Sequence, residues 1–169
     1  MGYVHDTKMS AFIPPSAIQK TAGTWTAIIA TNLVSEVRSA NDSSFTLLIP
    51  VVAPSNEAEF KGARLKSVDV FYKIGTAAAD DFATVELEKI SLPASGNAAS
   101  GAAVSTTLDS GHDSAAERKA LGDHTMTVTL DSPAWLDDGD AYVLQCVVDA
   151  AATTVFSIYG ARANFDLRL

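Results

Sequence analysis

Apolar and polar residues alternate with a period of two through much of the second half of the chain. In HTMTVTLD (124–131), Met126, Val128 and Leu130 alternate with Thr125, Thr127 and Thr129. That is the pattern of a half-buried strand. In AYVLQCVVDA (141–150), Tyr142, Leu144, Cys146 and Val148 share one face, and TTVFSIYGARANFDL (153–167) reads as a long last strand. A corner, SPAWLDDGD (132–140), joins the first two. It carries Pro133, Trp135, Leu136 and the acidic turn Asp137-Asp138-Gly139-Asp140. Three strands in a row with short connections predict antiparallel neighbours at the centre of a β-sandwich.

The first half carries more of the same pattern. TWTAIIATNLVS (24–35) is rich in β-formers and predicts a first strand. SSFTLLIPVVA (43–53) predicts a second, lying at an edge or bending at Pro50, because proline cannot donate to a ladder. PSNEAEF (54–60) is a loop. GARLKSVDVFYKIG (62–75) predicts a strand with Val68, Val70, Tyr72 and Ile74 on one face and Leu65 and Phe71 on the other. In ADDFATVELEKISLP (79–93) the apolar phase jumps from Val85 and Leu87 to Ile90 and Leu92, which predicts a β-bulge near Lys89. Residues 94–123 are small and polar, an Ala/Ser/Gly-rich loop with one short strand expected over 102–108. Within it, SAAERKALG (114–122) has capping-box spacing between Ser114 and Glu117 and a glycine, Gly122, where C′ is expected. It predicts a helix of about two turns.

About seven or eight strands with no βαβ alternation define an all-β chain. The expected fold is an antiparallel two-sheet β-sandwich of jelly-roll type, with an Ig-like sandwich as the nearest rival. Residues 1–22 read as an extended N-terminal arm and 23–169 as a single sandwich domain. Pro14-Pro15 blocks regular structure in the arm, yet Met9, Phe12, Ile13 and Ile18 are too apolar for a free tail. The arm packs on its own domain or on a neighbouring subunit. In the second case Phe12, Ile13, Pro14 and Pro15 are the candidate partner-binding residues, and Trp135 at its proline corner is a fifth.

Charge narrows the function. The 169 residues hold 12 basic and 20 acidic side chains, a net charge of −8. A nucleic-acid binder needs Lys and Arg to neutralise phosphates, so none is expected as a partner. No run of ~18 apolar residues offers a membrane-spanning helix. MGYVHDTKMS has no apolar run of signal-peptide length, so the chain is expected to be soluble and made in the cytoplasm. The single cysteine, Cys146, falls on an apolar strand face and is expected to be buried and inert.

Candidate chemistry is sparse. His5, His112 and His124 lack the spacing of a zinc site. Asp109, Ser110, His112 and Asp113 are the residue types of a hydrolytic triad, but they are too close in sequence to face one another as one, and no G-x-S-x-G elbow is present. No catalytic residue, cofactor or metal site is assigned. If a metal were bound, the first candidates are Asp137, Asp138 and Asp140, since Ca²⁺ prefers clustered carboxylates. Trp25 and Trp135, with Tyr72, Tyr142 and Tyr159, are the residues of a possible sugar-stacking platform, but Tyr72 and Tyr142 fall in phase with core positions.

The pattern His124, Pro133, Asp137 to Asp140, Tyr142-Val143-Leu144 and Tyr159-Gly160-Ala161-Arg162 resembles β-sandwich proteins among tailed-phage structural genes, of the capsid decoration and tail-associated type. The resemblance covers about a quarter of the chain. It implies a non-enzymatic virion protein that self-associates, often as a homotrimer, and binds other virion proteins such as the major capsid protein. The expected function is therefore capsid decoration or stabilisation through subunit contacts, with location in the virion. The alternative is a carbohydrate- or receptor-binding module.

Overall fold

A computed structural model describes residues 6–30, 33–52, 62–92, 96–136 and 139–168. In chain order these residues form β1 (Asp6–Ile13), a 3₁₀ turn (Pro15–Ala17), β2 (Gln19–Lys20), β3 (Trp25–Ala30), β4 (Leu33–Arg38), β5 (Ser43–Val51) and β6 (Ala63–Gly75). There follow β7 (Asp81–Ser91), β8 (Ser100–Val104), β9 (Thr106–Leu108), α1 (Ala115–Arg118), β10 (Gly122–Leu130), β11 (Asp140–Ala150) and β12 (Val155–Arg168).

The strands fall into two antiparallel sheets. One has the order β3-β4-β12-β6-β10-β9, with β1 added along β12; the other is β2-β5-β11-β7-β8. Without β1, β2, β3 and β9 the sheets read β4-β12-β6-β10 and β5-β11-β7-β8. Every link along the chain except β7–β8 then crosses from one sheet to the other. This is the jelly-roll arrangement, and it sets aside the Ig-like alternative. Between β8 and β9 the chain crosses at a single residue, Ser105.

Alternation explains the core. Phe45, Leu47, Ile49 and Val51 on β5, and Tyr142, Leu144, Cys146, Val148 and Ala150 on β11, point inward from one sheet. Val68, Val70, Tyr72 and Ile74 on β6 meet them from the other, with Met126, Val128 and Leu130 on β10. Each buried Val, Leu, Ile, Phe or Met among them contributes about 1.5–3 kcal/mol relative to exposure. An aromatic chain threads the interior. Trp25 meets Phe45 edge-on with centroids 5.4 Å apart, Phe45 meets Phe156 at 5.1 Å, and Phe156 stacks on Tyr72 at 5.5 Å.

Several expectations are corrected by the sheet registers. The single strand expected over 24–35 is instead part of a hairpin of two strands, β3 and β4, with Ala30 opposite Leu33 and Trp25 opposite Arg38. Leu65 is buried with Val68, because β6 slips register against β12 between Asn164 and Phe165. The slip leaves one extra residue, Lys66, and reverses the phase. The bulge expected near Lys89 is absent: β7 pairs with β11 without interruption from Ser91 to Thr84, and the irregularity lies between Val147 and Asp149, opposite Phe82–Ala83. Ile90 and Leu92 therefore stay out of the core. The expected short strand over 102–108 is two strands, one in each sheet. The helix has four residues, from Ala115 to Arg118, with the Ser114–Glu117 capping box in place. Its C-cap is Lys119 rather than a residue next to Gly122, which opens β10 instead.

Pro50 lies within β5. The backbone of Thr46 hydrogen-bonds outward to Thr21, on the β2 side. Pro50 has the same parity, and β2 pairs only with Leu47 and Leu48. The missing N–H thus faces the side where the ladder has already ended, as an edge position requires.

Candidate functional site

The described part of the arm lies on its own sandwich. β1 runs antiparallel to β12 from Asp6 opposite Arg168 to Ile13 opposite Ala161. Ile13, Pro15 and Ile18 are buried. A β-bulge in β12 makes this seat possible. Its register against β6 slips between Ile158 and Gly160, and Gly160 takes φ +127°. A Cβ at Gly160 would stand 2.6 Å from the Ile13 carbonyl oxygen and 3.0 Å from the Phe12 ring. Only glycine permits both the backbone angle and the approach.

Phe12 lies over this glycine and is 66% exposed. Beside it is an apolar groove of about 210 Å³, lined by Phe12, Ile13, Pro14, Pro50 and Val52 with alanines at its floor and rim. Three of the candidate partner-binding residues thus line one groove, and Pro15 is buried beneath the turn. Trp135 is elsewhere. It sits at the opposite end of β1, where the guanidinium carbons of Arg64 and Arg168 lie 5.0 Å and 4.1 Å from its ring centre. Arg64 also pairs with Asp166. Cation–π contact with two arginines accounts for the half-buried indole.

The second apolar feature is the β3–β4 hairpin. β12 pairs with β4 only through Glu36 to Arg38, so the rest of the hairpin projects beyond the sheet. Its base is fixed. Arg38 is fully buried, with its guanidinium 4.7 Å from the Phe45 ring centre. It donates to the Asn41 and Ser43 carbonyls and to Ser43 Oγ. Burial lowers its pKa from the usual guanidinium value. Gly23, at φ +92°, makes room, since a Cβ there would stand 2.5 Å from Arg38 Nε. Lys20 ties the base to the arm through Glu36 at 2.7 Å and through the Pro15 and Ile18 carbonyls. Beyond the base, Ile28 is 39%, Val34 61% and Ile29 85% exposed.

The outer face of the β1–β12–β6–β10 layer is polar and internally bonded. Asp69 accepts from Arg162 Nε and Nη2, from Asn164 Nδ2 and from Thr127 Oγ1. Asn164 reaches on to Ser10. Burial pushes the Asp69 carboxyl up, but the bonds from Arg162, Asn164 and Thr127 outweigh it, and its pKa lies below the usual carboxylate range.

Two histidines read as separate meet under the 109–124 loop. His112 Nε2 and His124 Nδ1 are 3.2 Å apart. His112 Nδ1 lies 2.8 Å from Asp109 Oδ1, and His124 Nε2 donates to the Ala120 carbonyl at 2.8 Å. The three bonds need three N–H protons, one more than two neutral rings carry. Asp109 also accepts from the Thr127 and Gly111 amides. Burial raises its pKa, but those amides and His112 lower it further, to below the usual value. His124 stacks on Tyr72 at 4.6 Å, and Tyr72 donates to the Arg118 carbonyl. Buried Arg118 in turn donates to the Phe82, Ala83, His112 and Asp113 carbonyls. The cluster fastens the loop to the core. Sequence spacing missed it because the β10–β6 register, with His124 opposite Tyr72, is what brings the rings together.

Asp137 and Asp138 lie outside the described residues, as does His5. The Asp140 carboxylate accepts from Ser91 Oγ and pairs with Lys89 at 2.7 Å. Among the described residues, no group of three or more His, Cys, Asp or Glu is placed to hold a metal ion. No helix among them is long and apolar enough to cross a membrane. Cys146 is fully buried on β11, and burial pushes its thiol up to about 12. No family model matches the chain, and no curated protein matches it significantly.

Proposed function

We propose that this jelly-roll protein is a non-enzymatic virion subunit that decorates or stabilises a capsid through subunit contacts. The observation that carries the reading is the apolar flank. On a chain of net charge −8, a projecting hairpin and a recessed groove, both apolar, lie along the same strand, β12. Monomers rarely leave such surface uncovered without using it. The motif from His124 to Arg162 supports the same class by resemblance. Within this reading the subunits form a homotrimer that binds the major capsid protein, and many repeated contacts sum by avidity. Quantitative mass spectrometry of purified virus particles carrying the gene tests it. A fixed copy ratio to the major capsid protein is expected, and a protein missing from washed particles refutes the reading.

A further inference from the structure

We propose that His112 Nε2 and His124 Nδ1 together hold a divalent transition-metal ion of the zinc type, which clasps the loop after β9 to the start of β10. The inference is independent of any role in a capsid.

The outer bonds of the two rings fix the tautomers that metal binding needs. A carboxylate and a backbone carbonyl only accept hydrogen bonds. His112 Nδ1, 2.8 Å from Asp109 Oδ1, and His124 Nε2, 2.8 Å from the Ala120 oxygen, therefore each carry a proton. In neutral rings this leaves the lone pairs on His112 Nε2 and His124 Nδ1, the two atoms that stand 3.2 Å apart. Facing lone pairs repel, and a cation held by both removes the repulsion. Histidines that ligate a metal commonly donate their other N–H to a carboxylate or a backbone carbonyl; here one ring does each. The spacing agrees as well. A tetrahedral ion bonded to nitrogen at about 2.0–2.1 Å holds two such nitrogens about 3.3–3.4 Å apart. Both rings are anchored: His124 stacks on Tyr72 at 4.6 Å, and the His112 carbonyl accepts from Arg118. His112 is buried but His124 is partly exposed, which gives an ion a path from solvent. Water completes the shell, since no third ligating side chain is placed with the pair among the described residues. From Asp109 to His124 the chain has four acidic and two basic side chains, so the local charge favours a cation. Imidazole donors select zinc, nickel or copper over calcium or magnesium. A third proton is the rival occupant of the same gap.

Calorimetric titration of the untagged full chain with zinc chloride near neutral pH tests the site. One Zn²⁺ per chain is expected, and calcium chloride should give no binding. His5→Ala, outside the pair, should bind zinc as the parent does, and His112→Ala should lose the ion. Because His112→Ala also removes loop bonds, the parent itself carries a second measurement. In nitrogen NMR of its histidine rings, zinc should shift His112 Nε2 and His124 Nδ1 and leave the His5 ring unmoved. Hydrogen exchange on the same samples should show the amides of residues 111–121 gaining protection when zinc is added. No zinc binding at high micromolar concentration leaves the gap to a proton and overturns the site. Binding that persists in His112→Ala, ring shifts confined to His5, or calcium binding as tightly as zinc overturns it too. Zinc that binds without protecting the loop amides refutes the clasp.

Discussion

Gly160→Ala should loosen the arm and lower the stability of the whole sandwich. Two costs add. An alanine held at φ +127° is in a region that costs about 1–3 kcal/mol for a non-glycine residue. The new methyl would also stand 2.6 Å from a backbone oxygen, that of Ile13, and 3.0 Å from the Phe12 ring. The ring can swing, but the carbonyl is held in the β1–β12 ladder, and overpacking of this kind costs about 1–3 kcal/mol. Against this, alanine stiffens the unfolded chain and returns about 0.4–1 kcal/mol. The net loss is about 1–5.5 kcal/mol. With a urea slope of about 2 kcal/mol/M, the unfolding midpoint falls by about 0.5–2.8 M. Hydrogen exchange on the same samples should show the amides of β1 losing protection before those of β11. A midpoint within about 0.25 M of the parent, at unchanged slope, would refute the account of the bulge.

Other expectations follow from the buried polar groups. His124→Phe keeps a ring on Tyr72 but leaves the Ala120 carbonyl and His112 Nε2 without their partner, so a loss of about 1–3 kcal/mol is expected in urea unfolding; an unchanged midpoint counts against the loop cluster. Asp69 and Asp109 both have folded pKa values below the ordinary aspartate value of 3.8. Their contribution is therefore complete above 3.8 and is lost as pH falls through the lower folded values. Asp69→Asn should flatten the fall in stability below pH ~4, and a fall as steep as the parent's contradicts the network. Cys146 is raised from 9.0 to about 12 by burial, and Tyr72 is raised for the same reason. Stability should hold below the unfolded thiol value and fall as pH climbs past it towards the folded one. At neutral pH a thiol reagent should label Cys146 only at the rate of unfolding; fast labelling of the folded protein contradicts its place on the inner face of β11.

Strand existence was legible because one face of each strand meets the core, and period-two alternation records that directly. Met126, Val128 and Leu130, and Tyr142 through Val148, are buried as their pattern predicts. Bulges were not legible, because a phase change in sequence has two causes. At Leu65 it marks a real register slip. At Ile90 and Leu92 it marks apolar side chains left outside the core on an unbroken ladder. The hairpin at 25–38 was hidden for a related reason. An unbroken run rich in β-formers reads as one strand, whereas the chain turns back within it and leaves Ile28 and Ile29 exposed. The groove needed residues from β1, β5 and β12, far apart in sequence, and the histidine pair needed the β10 register. Contacts between distant segments leave no local signal. What the sequence did carry was the composition of the pieces: an apolar, proline-bearing arm on an acidic chain.

The most direct test of the account is the native mass of the unmodified full chain, followed from nanomolar to high micromolar concentration. The account predicts a closed assembly of a small whole number of 17.7 kDa chains, three on the reading proposed. A chain that stays at 17.7 kDa throughout would contradict it.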